Sequence, residues 1–76
     1  MNKQEVFPQI TVDPQVRFGK PVLAGTRVPV DLVVGKIAGG MTQEEVMQEY
    51  ELQQTQILTA LQYAAQIVAL EEVAFA

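Results

Sequence analysis

The sequence predicts a mainly α-helical fold, in which a small N-terminal β element precedes a bundle of three helices with a helix-turn-helix outline. Two observations predict it. Residues 17–30 (RFGKPVLAGTRVPV) combine two glycines and two prolines with short β-branched pieces, a composition typical of turns and hairpins. From Val30 onward, apolar residues recur at helical spacing in three successive segments. A chain of 76 residues makes one core, so residues 9–76 are expected to form a single domain.

The β element is expected to contain one strand and one hairpin. Gln9–Val12 alternates apolar and polar residues, as a half-buried strand does. Further on, the pairs 22–23 and 27–28 flank the turn-forming residues 24–26, which predicts a hairpin. Residues 1–8 are expected to be a loose lead-in.

The first helix is predicted over Val30–Ala38, where the apolar residues form a single stripe. Gly39 and Gly40 supply its left-handed stop. Gly35, inside this helix, costs about 1 kcal/mol relative to alanine, which indicates either close helix packing or a weak helix.

The second helix has a clear start signal. Thr42 and Glu45 have the spacing of a capping box, in which each side chain accepts a hydrogen bond from the other residue's backbone amide. Met41 and Val46 fit the hydrophobic contact that accompanies such a start. The helix is expected to end near Tyr50.

The third helix is predicted over residues 54–73, and apolar residues occupy most of its circumference. One stripe is expected to face the core: Ile57, Leu61, Ala64, Ala65 and Val68. A second apolar set is expected to bind a partner: Leu58, Tyr63, Ile67 and Leu70. A helix that is apolar nearly all round must be buried nearly all round, and a domain this small cannot cover it. The sequence therefore predicts a homodimer or a constitutive partner.

The residue inventory argues against an enzyme. Cysteine, histidine and serine are all absent, so disulfides, the common metal ligations and the usual nucleophiles and general base are unavailable. We expect no catalytic site, no cofactor and no metal. An enzyme would need a cleft ringed by the remaining polar candidates: Asp13, Arg17, Lys20, Arg27 and Tyr50.

Charge is distributed unevenly along the chain. All five basic residues lie within the first 36 positions, whereas six glutamates and no lysine or arginine follow Ile37, and the net charge is −4. This pattern predicts either an ordinary solvated helical surface or an acidic surface that meets a basic partner. No secretion signal or membrane span is evident, so a cytoplasmic location is expected.

A short helix, a turn and a longer helix also form the outline of a DNA-binding motif. In that interpretation the start of the third helix contacts bases, because glutamine pairs with adenine and threonine touches the thymine methyl group. The candidate base-contacting residues are Gln53, Gln54, Thr55 and Thr59. The candidate phosphate-contacting residues are Arg17, Lys20 and Arg27.

Three stretches of the sequence resemble the domain of unknown function 433 (DUF433) family: ITVDPQVRFGKPVLAGTRVPVDLVV, GGMTQEEVMQEYEL and ILTALQYAA. The similarity runs from about Ile10 to Ala65. It implies a homeodomain-like helix-turn-helix fold, and some members resemble antitoxins of the VapB type, encoded beside a toxin with a PIN-like nuclease domain. Many relatives carry threonine where Gln53 stands, and glutamine is a poor helix cap, which weakens the DNA-binding interpretation.

The resemblance, taken with the apolar third helix, implies a non-enzymatic antitoxin-like partner of a PIN-like nuclease that also regulates its own operon by binding DNA. The alternative is a stand-alone DNA-binding regulator.

Overall fold

A three-stranded antiparallel sheet begins the chain. The computed structural model describes the backbone of residues 3–75 and the side chains of residues 3–71. The strands are β1 (Gln4–Phe7), β2 (Ile10–Val12) and β3 (Val22–Leu23), in the order β1-β2-β3. Strands β2 and β3 are buried, and at their centre Ile10 is completely inaccessible to solvent with Leu23 opposite it.

Strand β1 corrects the expectation of a loose lead-in over residues 1–8, of which Met1 and Asn2 lie outside the described residues. Gln4–Phe7 pairs with β2, and Val6 is an extra residue that forms a bulge in the ladder. The ring of Phe7 packs against that of Tyr63, with the ring centroids 5.4 Å apart. Pairing with β2 and this tertiary contact order a segment that is half polar and half apolar (QEVF).

The predicted hairpin is present in shortened form. Val22–Leu23 is the strand β3, and the Leu23 amide donates to the Val28 carbonyl oxygen at 3.0 Å. Residues 27–28 do not form a strand of their own, and the second arm is limited to a single bridge between Val22 and Pro29. Because Pro29 has no N–H and a helix begins at Val30, the ladder has no means of continuing.

Helix α1 (Val30–Ala38) ends as the sequence predicts. Gly40 adopts φ +109°, which places the following amides over the last turn. The Met41 amide donates to the Lys36 carbonyl at 3.0 Å, and the Gly40 amide donates to the Ile37 carbonyl at 3.1 Å. These two bonds are those of a Schellman motif, which satisfies carbonyls that the helix end would leave unpaired.

Helix α2 (Gln43–Tyr50) begins with the predicted capping box. The Glu45 amide donates to Thr42 Oγ1 at 3.1 Å, and the Thr42 amide donates to Glu45 Oε1 at 2.8 Å. One turn later Val46 is completely buried, and Met41 packs against the same core, as the staple prediction requires.

A three-residue turn joins α2 to helix α3 (Gln54–Phe75). Glu51 adopts the left-handed conformation with φ +56°, and the Leu52 amide donates back to the Met47 carbonyl at 2.9 Å. Gln56 receives a hydrogen bond from the Gln53 amide at 2.7 Å, so one half of a capping box starts α3 although Gln53 is a weak cap.

The core lies where the sheet and the first two helices meet the front of α3. It is made of eight buried apolar residues: Ile10, Leu23, Val30, Val33, Val46, Leu52, Ile57 and Ala60. The predicted core stripe of α3 extends too far, because Ala65 is exposed and Val68 is 53% exposed. A helix of 22 residues is about 33 Å long, whereas α1 with nine residues is about 13 Å long, so α3 extends past its neighbours.

Adjacent positions of α3 provide a direct test of this core. We expect Ile57→Ala to lower the free energy of unfolding by roughly 2–5 kcal/mol, since Ile57 is fully buried. Leu58→Ala is the matched control and should cost less than about 1 kcal/mol, because Leu58 is 43% exposed. Denaturant unfolding followed by circular dichroism measures both. Equal costs would contradict the described burial.

The left-handed residue after α2 provides a second test. We expect Glu51→Gly to raise the free energy of unfolding by roughly 0.5–1 kcal/mol, because glycine adopts a positive φ without the steric penalty that Glu51 carries. Gln48→Gly, inside α2, should lower it by about 1 kcal/mol. Thermal unfolding of both variants distinguishes relief of local strain from a general effect of glycine.

Candidate functional site

The far half of α3 has side chains described as far as Glu71, and these side chains have little cover. Every side chain from Ala65 to Glu71 is exposed. Three of them are large and apolar: Ile67 at 39%, Val68 at 53% and Leu70 at 60% exposure. Solvent therefore meets a run of apolar surface on one helical segment, which is the usual mark of a surface that binds another molecule.

One side of this segment faces α1 across a groove of about 590 Å³, which we call the α1–α3 groove. It is lined by Lys20, Pro21, Val30, Asp31, Val34, Gly35, Tyr63, Ala64, Ile67, Val68 and Glu71. Most of its walls are apolar, and the side chains of its charged residues are exposed to solvent. Such a groove suits an apolar side chain or helix face from a partner.

Gly35 lines this groove, and packing within the chain does not require a glycine there. A Cβ atom built on Gly35 would have no heavy atom within 4 Å outside its own stretch of helix. The sequence-based suggestion of close helix packing is therefore wrong for contacts within the described residues. The glycine leaves open space beside α1.

The basic side chain of Lys20 is held at the edge of the groove. Its Nζ atom lies 2.9 Å from Asp31 Oδ2, at the start of α1, and this is the one ion pair within residues 3–71. Both side chains are more than half exposed, so the pair contributes little to stability. The carboxylate of Glu71, which is not part of this ion pair, lines the α3 wall of the groove.

The four predicted interface residues do not share one face. Leu58 and Ile67 are nine residues apart, about two and a half helical turns, so they project from opposite sides of α3. Tyr63 is half-buried against Phe7 and also lines the groove. Leu70 is exposed on the same segment as Ile67, which leaves Leu58 separate at the front of the helix.

The predicted base-contacting residues gather at the other end of α3. Gln53, Gln54 and Thr55 are exposed, and Thr59 is half-buried. A second groove of about 340 Å³ lies here, lined by Gln9, Leu23, Ala24, Gln53, Thr55, Gln56 and Thr59. Its surface is more polar than that of the α1–α3 groove.

The predicted phosphate-contacting residues are divided. Arg17 Nε donates to the Arg27 carbonyl oxygen at 3.2 Å, so these two exposed residues are neighbours. Lys20 instead lines the groove with Ile67, which is about 18 Å along α3 from Thr55 at 1.5 Å per residue. The structure thus separates Lys20 from the front of the helix.

The residues of the enzyme alternative are not assembled into a cleft. Of the five, Lys20 alone lines any of the three surface grooves found among the described residues. The Asp13 carboxylate accepts the Gln15 amide at 2.8 Å, which serves a local turn. Within those residues, no cluster of three acidic side chains is arranged to hold a metal ion. None of the helices there has the length and hydropathy needed to cross a bilayer.

One residue that sequence reasoning missed is Phe18. It is fully exposed, and it lies in a left-handed turn where Arg17, Phe18 and Gly19 have φ of +52°, +57° and +83°. Non-glycine residues pay roughly 1–2 kcal/mol each for this conformation. The signal was an aromatic residue placed directly before a glycine in a turn-forming string.

Comparison with known proteins concerns the family and the fold of the chain. No curated protein matches the chain. The X-ray crystal structure of Rv2018 from Mycobacterium tuberculosis is similar, with 32% sequence identity, a TM-score of 0.64 and coverage of 71% of this chain. The chain spans 28% of the length of that protein. The model of the family described as "Protein of unknown function (DUF433)" matches residues 10–64. That match extends over more than half of the sequence and confirms the resemblance, so the chain belongs to the DUF433 family.

Proposed function

We propose that the protein is a non-enzymatic binding protein that acts as a homodimer and as the antitoxin-like partner of a PIN-like nuclease toxin in the cytoplasm. The observation that supports it is the exposed apolar far half of α3, with Ile67, Val68 and Leu70 in solvent. A chain of this size gains stability when a partner covers such a surface.

The surface has the properties of a helix that docks into a partner. Apolar anchors at Ile67 and Leu70 are three residues apart, the spacing at which helical side chains enter a groove together. Leu70 lies outside the lining of the α1–α3 groove. A nuclease partner can therefore contact Leu70 while another molecule occupies the groove.

Charge supports the same kind of partner. From Ile37 onward the chain carries six glutamates and no basic residue, and the glutamates of α2 and of the turn after it are exposed. Complementary basic residues on a partner would steer encounter and fix orientation around an apolar centre. The absence of serine, cysteine and histidine is the reason for proposing binding in place of catalysis.

Co-expression with the product of the neighbouring gene tests this function. The nuclease should co-purify with the tagged wild-type chain, and Leu70→Glu should abolish co-purification, because a buried unpaired carboxylate is costly. Leu58→Glu is the control, since Leu58 is exposed on a different face, and it should retain the nuclease. Failure of the wild-type chain to capture a PIN-like neighbour would contradict the proposal.

A specific observation favours DNA binding as a second function. The α2–turn–α3 segment exposes Gln53, Gln54 and Thr55 at the start of the second helix of the motif. This is the position from which such motifs contact bases in the major groove. Arg17 and Arg27 are neighbouring exposed cations available for phosphates.

Binding to the DNA upstream of the gene should therefore weaken steeply as salt rises. Arg27→Ala should reduce the slope of log K against log salt by about 1, and Gln54→Ala should reduce affinity for the specific sequence. Lys20→Ala is the matched control and should change the slope less, because Lys20 is paired with Asp31 beside the far half of α3. Absence of a salt-sensitive shift at low ionic strength would exclude this function.

A further inference from the structure

We propose that the α1–α3 groove receives Phe18 from a second copy of the chain, so that two reciprocal Phe18–groove contacts form the homodimer interface. This inference rests on the homodimer of the proposed function and names its contacts. The groove lining shares Ile67 with the proposed toxin-binding surface, whereas Leu70, the residue whose variant tests toxin capture, lies outside the groove.

The exposure and the backbone conformation of Phe18 suit contact with another molecule. Its side chain is fully exposed, so the ring gains no contact from the described residues. Its backbone and that of Arg17 are nevertheless held in the left-handed region by hydrogen bonds from Gly19 to Val16 at 3.1 Å and from Lys20 to Arg17 at 3.1 Å. Such strained turns are concentrated at binding sites, where a fixed orientation is useful.

The groove offers the ring a matching space. Its volume of about 590 Å³ and its mostly apolar walls suit an aromatic side chain, which buries a large area on contact. Gly35 adds no side-chain atoms to the α1 wall, at a cost to helix stability that packing within the described residues does not explain. An incoming ring accounts for the glycine.

The position of Phe18 makes the contact reciprocal. Lys20 and Pro21, two and three residues after Phe18, form part of the groove's own wall. Phe18 and the α1–α3 groove are therefore neighbours on one surface of the chain. A two-fold axis beside them places the Phe18 of each copy in the groove of the other, as a closed dimer requires.

Charge favours a second copy over an unrelated apolar partner. Arg17 is exposed and directly precedes Phe18 in the chain, and Glu71 lines the α3 wall of the groove. The Asp31 carboxylate is already paired with Lys20. In the reciprocal arrangement, Arg17 of one copy meets Glu71 of the other. Attraction between the basic front and the acidic rear of the chain then orients the two copies.

Sedimentation equilibrium of the full chain over a concentration series tests the interface. The wild-type chain should dimerise, and Phe18→Ala should raise the dimer Kd by at least ~30-fold, as loss of a central aromatic contact does. Gly35→Phe should also prevent dimerisation by filling the groove, and Val6→Ala, which removes an exposed side chain from β1, should leave the dimer unchanged. Circular dichroism should show that all variants remain folded.

Two further measurements identify the occupant. Arg17→Glu and Glu71→Arg should each weaken the dimer, and the double variant should restore it. Because the chain has no cysteine, a short thiol cross-linker should join Phe18→Cys chains to Gly35→Cys chains when the two are mixed.

A monomeric wild-type chain, a dimer that Phe18→Ala leaves intact, no restoration in the double variant, or no mixed cross-link would overturn the inference. A monomer that still captures the nuclease would overturn the interface and leave the proposed toxin partner standing. A dimer with the expected variant effects that captures no nuclease would overturn the proposed toxin partner and leave the interface standing.

Discussion

The front of α3 is the surface on which the rest of the fold is assembled. Ile57 and Ala60 are completely buried, and they contact a core to which the sheet contributes Ile10 and Leu23 and the first two helices contribute Val33 and Val46. Because the strands have only two to four residues each, they cannot form a stable layer alone, and this helical face completes their core. The sheet, the turn after α2 and the α1–α3 groove all depend on that contact.

The same geometry explains why one helix has two kinds of surface. All the elements that cover α3 are shorter than it is, so cover is concentrated along its first half. Beyond Ala64, apolar residues continue with helical spacing, but every side chain from Ala65 to Glu71 remains exposed. The exposed segment is thus a consequence of unequal helix lengths, and the proposed partner contacts supply the missing cover.

Two local features of the groove have no explanation inside a single copy of the chain. Gly35 lowers the helix propensity of α1 without allowing a close contact, and Phe18 exposes a ring from a left-handed backbone. Each is unfavourable taken alone. The proposed two-fold dimer would explain both with one contact, in which the ring of one copy fills the space that the glycine of the other leaves open.

The sequence by itself determined the elements whose signals are local. The capping box at Thr42, the stop at Gly40 and the limits of α1 depend on residues within one turn, so their hydrogen bonds follow from spacing alone. Family membership could also be predicted from the sequence, because the three stretches that carry the resemblance lie within the residues that the family model matches.

Only the tertiary structure decided the features that depend on relative length and position. Strand β1 forms because β2 and Tyr63 are near Phe7, and four residues without an alternating pattern do not reveal these contacts. Val68 belongs to the periodic stripe of α3 and is still exposed. Periodicity predicts which side of the helix a residue is on, but it does not predict how far the neighbouring elements extend along the helix. Likewise, Lys20 lies beside the far half of α3 because the chain folds back through the hairpin. The distribution of charge along the sequence does not predict this position.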